Sequence, residues 1–189
     1  MRRLRMAVVL AATLALLAGS AAAALAGPAN RDSVVGGGLR IAPDGTPNRS
    51  FSVSARALAG GGASGSYTFL VLHSGSRNGP SDRFTGTVTC LDVVGNQAVI
   101  GGHITKGNIA PGGDFLVFLI DGGAPVGGQP GPDMVSLTYI TPQDDWPSGD
   151  IPGDFHTHCP SANGPSYDTV GIRGEWRSVQ GNIVVKDAP

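Results

Sequence analysis

Apolar and polar side chains alternate one by one along most of this chain, and nothing beyond its N-terminus repeats apolar residues with the 3.6-residue period of a helix. Phe51, Val53 and Ala55 alternate with Ser52, Ser54 and Arg56, which predicts a strand with one buried face. Tyr67, Phe69 and Val71 share one face of a second strand. Leu70 and Leu72 put apolar groups on its other face, so this strand is expected to be covered on both sides. Phe84, Gly86, Val88 and Cys90 oppose Thr85, Thr87 and Thr89, an alternation that points Cys90 inward. Leu116, Val117, Phe118, Leu119 and Ile120 are apolar on both faces and mark the most central strand. Further strands are predicted over 34–41, 103–105, 134–139 and 170–176. Between Val93-Val94 and Gln97-Ala98-Val99-Ile100 stands Gly95-Asn96, a two-residue hairpin loop of the Gly-first kind, which brings Asp92 beside Val99 or Ile100. Gly181-Asn182 repeats the dipeptide and predicts a second hairpin between Ser178-Val179 and Ile183-Val184-Val185.

Composition strengthens the pattern. Thirty Gly and 14 Pro accompany a single glutamate, Glu175, and only Lys106 and Lys186, so turn formers abound where strong helix formers are scarce. Short strands separated by turns, with no helices between them, predict an all-β fold: a single antiparallel β-barrel or β-sandwich of about eight or nine strands. The Gly/Pro-rich stretches 122–132 and 141–165 read as its long loops.

The N-terminus is of another kind. Arg2, Arg3 and Arg5, an apolar run from Met6 to Ala18, and Ala24-Leu25-Ala26 follow the order of a secretory signal peptide. Residues 1–26 are therefore expected to be a signal-peptide helix and 27–189 a secreted, extracellular β domain; cleavage after Ala29 is the alternative. No later segment approaches the run of about 18 apolar residues that a membrane span needs. The signal region takes three of the 13 basic residues and none of the 14 acidic ones, leaving a mildly acidic domain with no basic stripe for nucleic acid. In an exported protein the pair Cys90 and Cys159 reads as one disulfide, the alternative being two buried thiols.

Phe51-x-Val53-x-Ala55, Gly86-Thr87-Val88-Thr89-Cys90-Leu91 and Gly95-Asn96-x-Ala98-x-Ile100-Gly101-Gly102 resemble a group of small, uncharacterised secreted actinobacterial β-rich proteins. The group is related to a β domain found beside surface-anchor segments in bacterial proteins. Asp133-x-x-Ser136, Cys159-Pro160 and Gly181-Asn182-Ile183-x-Val185 extend the likeness to the C-terminus. The resemblance implies a β fold and export, and no catalysis. Where it implies an Asp-Asn-Gly-Glu-like turn after the central strand, this chain carries Asp121-Gly122-Gly123-Ala124.

Candidate chemistry is sparse. Asp154-x-His156-x-His158 sets a carboxylate and two imidazoles on one face of an extended segment, the donor types of a transition-metal site. A divalent metal is thus the one cofactor the sequence suggests, with His73 or His103 as a further ligand; otherwise no cofactor is implied. Asp144, Asp145, Asp150 and Asp154 surround Trp146 but lack the spacing of a twelve-residue calcium loop. Trp146, in its Pro/Asp-rich loop, is the aromatic best placed for ligand contact, whereas Trp176 is expected in the core. No serine lies in a Gly-x-Ser-x-Gly elbow, and no phosphate-cradling motif is present. The leading expectation is an exported, non-catalytic binding or structural domain for an unknown extracellular ligand or cell-surface component. The alternatives are a carrier holding a small apolar molecule among Phe51, Phe69, Phe84 and Phe118, and a metal-dependent enzyme using Asp154, His156 and His158.

Overall fold

The one-by-one alternation becomes a ring of antiparallel strands. The computed structural model describes residues 31–72, 82–123, 131–141, 159–162 and 175–188, and everything structural below refers to these. In chain order the strands are β1 (Ser33–Ile41), β2 (Pro47–Ala57), β3 (Ala63–Val71), β4 (Arg83–Val94), β5 (Gln97–Gly107), β6 (Asp114–Ile120), β7 (Met134–Val135), β8 (Tyr139–Ile140) and β9 (Arg177–Lys186). β1 to β6 form a meander, β6 pairs onward with β7, β7 with β9 and β9 with β1. Eight antiparallel strands thereby close a barrel, and β8 is an additional strand against β6. Closure leaves no long unpaired edge to recruit another chain.

Inside, Tyr67 stacks on Phe115 with ring centroids 5.2 Å apart, Phe84 lies 5.8 Å from Tyr67 and 5.7 Å from Phe115, and Phe69 lies 5.4 Å from Phe84. Phe51, Val53, Ala98, Ile100, Val117 and Ile183 join these rings in one buried cluster. Ring pairs of this kind add about 0.5–1.5 kcal/mol each beyond the burial of their area. Gly86 makes room for them: a Cβ there would stand 2.4 Å from Cε1 of Phe115.

A second buried cluster lies on the outer face of β5 and β6. Val99, Leu116, Phe118 and Tyr139 pack there with Ala162, joined by Val94, Cys159 and Trp176. This explains why the run Leu116–Ile120 is apolar on both faces. Phe118 belongs to this outer layer and not with Phe51, Phe69 and Phe84. The Cys90–Cys159 disulfide ties segment 159–162 down, and the Ala162 N–H donates to Asp92 Oδ2 at 2.6 Å.

Several elements differ from the sequence expectation. β4 carries register shifts at Thr85/Gly86 and Val88/Cys90. The second inserts Thr89 between the inward-facing Val88 and the inward-facing Leu91 and Val93, so Cys90 turns outward toward Cys159. The predicted pieces at 97–100 and 103–105 form one strand, β5. Residues 134–139 divide into β7 and β8, whose pairing along β6 slips by one residue (Leu119↔Val135, Leu116↔Tyr139). Ser136 bridges the break: its N–H donates to Phe118 O at 3.0 Å and its Oγ accepts from the Phe118 N–H at 3.1 Å.

Gly95-Asn96 is a hairpin turn, with Gly95 at φ +61° and Asp92 opposite Val99. Gly181-Asn182 is not. It sits mid-strand in β9 opposite Gly38 and Gly37, because the neighbouring strand β1 offers a continuous ladder that outweighs the local turn preference. Trp176 precedes β9 and is partly buried in the outer cluster.

Candidate anion-binding site

One end of the barrel is left incomplete by the short β8. β8 pairs only with β6, and β9 begins at Arg177, so the wall between β8 and β1 is finished there by side chains. Tyr67 OH lies 2.8 Å from Thr138 Oγ1, and Tyr139 OH donates to the buried Glu175. Burial holds the Tyr67 phenol proton far more tightly than usual, against weaker opposing effects of the Thr138 hydrogen bond and nearby Arg40.

Arg40 enters this end from β1. It continues the inward phase of Val34 and is only 6% exposed. Arg49, its direct cross-strand partner on β2, continues the inward phase of Phe51, Val53 and Ala55. Like charges placed directly opposite on neighbouring strands repel. Arg49 Nη1 donates to Asn48 O at 2.8 Å, and Arg177 Nη1 donates to Trp176 O at 2.7 Å. Arg40 Nε has no hydrogen-bond partner among the described residues. Burial first, then the charges of Arg49 and Arg177, lower the Arg40 pKa to about 10, with Tyr67 and Glu175 acting weakly the other way. A buried guanidinium with an open donor beside two further cations has the chemistry to accept a negatively charged partner.

A concavity of about 330 Å³ opens onto Arg40 and Arg49. Phe69, Val71, Ile109, Leu137 and Ile140 supply its apolar wall, and Thr138, Asn108 and Asp82 its remaining polar groups. Asn108 is held in place by accepting the Arg83 N–H at 2.8 Å and reaching Asp82 Oδ1 at 3.4 Å. A larger cleft of about 890 Å³ crosses β3, β4 and β5 beside Arg83 and Lys106, about as open to solvent as the smaller concavity. The smaller concavity is the better candidate, because it is lined by Arg40, a buried guanidinium whose Nε has no hydrogen-bond partner among the described residues.

None of the three arginines stands out in sequence as a site residue. The signal that could have found two of them is phase: Arg40 and Arg49 occupy positions where alternation calls for an apolar side chain. The residues singled out from sequence fare differently. Asp154, His156, His158, Trp146 and His73 lie outside the described residues. His103 pairs with Asp114, Nδ1 to Oδ1 2.6 Å, with its own side chain 46% exposed. Among the described residues no three His, Cys, Asp or Glu side chains converge as metal ligands. Comparison of the chain with protein-family models, with curated proteins and with solved structures gives no match.

Proposed function

We propose that the chain is an exported, non-catalytic binding domain that receives an anionic ligand at the arginine-lined end of its barrel. The observation that carries this reading is Arg40: a cation buried without a partner for its Nε, directly opposite a second arginine. Such an arrangement weakens the empty fold and strengthens a complex, the usual trade between stability and binding. Export is supported by the Cys90–Cys159 disulfide, which an oxidising compartment favours. Among the described residues no helix is long and apolar enough to cross a membrane. The interlocked rings of Tyr67, Phe69, Phe84 and Phe115 occupy the barrel interior and favour ligand capture at its end over storage of an apolar molecule inside.

The test is thermal melting of the purified protein and its Arg40→Met variant in acetate, phosphate and sulfate at constant ionic strength. An anion-dependent rise in melting temperature is expected for the wild type and not for the variant. Equal responses in both proteins would leave a purely structural module as the better reading.

A further inference from the structure

We propose that the concavity at Arg40 and Arg49 takes a small monocarboxylate with an apolar body, a deepening that rests on the anion-binding reading above. Two features select the class. The first is the make-up of the wall: half of its ten lining residues, Phe69, Val71, Ile109, Leu137 and Ile140, are apolar, and the other half are polar or charged. Leu137 is 37% exposed, so a ligand's hydrocarbon would cover apolar surface that water otherwise meets. The second is charge: Asp82 lines the same space, which disfavours a ligand carrying a second negative charge.

A carboxylate matches the fork of a guanidinium and leaves the rest of the ligand free to be apolar. Arg40 supplies the desolvated contact, with Arg49 alongside it. A volume of about 330 Å³ is at the small end of ligand pockets, which limits the hydrocarbon to a short chain or one ring.

The experiment is titration calorimetry of the purified protein with hexanoate, with 1-hexanol as the uncharged analogue and with inorganic phosphate. Hexanoate is expected to bind at least about tenfold more tightly than either, and Arg40→Met to weaken hexanoate by about tenfold or more. Arg49→Met, a second variant at the more exposed arginine, is expected to weaken it by less. Phosphate binding as well as hexanoate, with the same dependence on Arg40, would overturn the ligand class and leave the anion site standing. Hexanoate binding unchanged in a folded Arg40→Met variant would overturn the assignment of the contact. Absence of heat from every anion would overturn this inference together with the reading beneath it.

Discussion

Arg40 on β1 stands directly opposite Arg49 on β2, and both side chains line the same end of the barrel. Cross-strand pairs normally stabilise a sheet, and this one opposes it. The energetic conflict is local, since the rest of the interior is apolar and closely interlocked.

Relief of that conflict is measurable. Arg40→Met keeps the length of the stem and removes the buried charge, so the ligand-free variant is expected to be more stable than the wild type by about 1–3 kcal/mol. Urea denaturation of both proteins in a non-coordinating buffer checks the direction. A destabilised variant would mean that Arg40 is already well compensated.

Asp133 acts as a backbone mimic where β7 stops short. Its Oδ1 accepts from Gly122 N at 2.8 Å and its Oδ2 from Ile183 N at 2.6 Å, joining the connection after β6 to β9. Asp133→Ala leaves both N–H groups without an acceptor and is expected to cost about 2–4 kcal/mol. Faster hydrogen exchange at the Ile183 amide, with Asp133→Asn intermediate, is the accompanying signature.

Removal of the disulfide should act mainly on the unfolded chain. Cys90 and Cys159 are 69 residues apart, for which the chain-entropy relation gives about 4 kcal/mol. The Cys90→Ala/Cys159→Ala double variant is expected to lose about that much in denaturant melts. Its barrel strands should remain, because the staple anchors the outer layer and none of the ladder pairings.

At alkaline pH the buried phenol sets a limit. The unfolded Tyr67 releases its proton near pH 10 while the folded side chain keeps it, so the unfolded state binds fewer protons and stability falls as pH rises. Arg40 works in the opposite sense: its folded pKa of about 10 lies below the ordinary guanidinium value, and its burial penalty eases as pH rises above that point. Tyr67→Phe removes the first effect and leaves the second, which burial and the neighbouring arginines dominate, largely in place. Between pH 9.5 and 11 its stability, followed by urea denaturation, is expected to fall less steeply than that of the wild type, and identical slopes would contradict the assignment.

The alternation of Phe51, Val53 and Ala55, the doubly apolar run Leu116–Ile120 and the Gly95-Asn96 turn were enough to place an all-β antiparallel fold and one of its hairpins, because burial on a strand face and positive φ at a turn are local demands. Where a decision depended on a neighbouring strand, local pattern fell short. Cys90 faces outward because a bulge in β4 shifts its phase, and Gly181-Asn182 runs straight because β1 pairs with it. The arginine cluster is the extreme case. Arg40 and Arg49 meet locally across the β1–β2 hairpin, but Arg177 comes from β9 near the other end of the chain, and only closure of the ring through β1 and β9 brings its charge to bear on Arg40. Period-two patterning thus determined most of the strands and the buried face of those without a bulge, while pairing and barrel closure decided the rest and which charges share a desolvated end, since coulombic coupling depends on distance in space and not on separation along the chain.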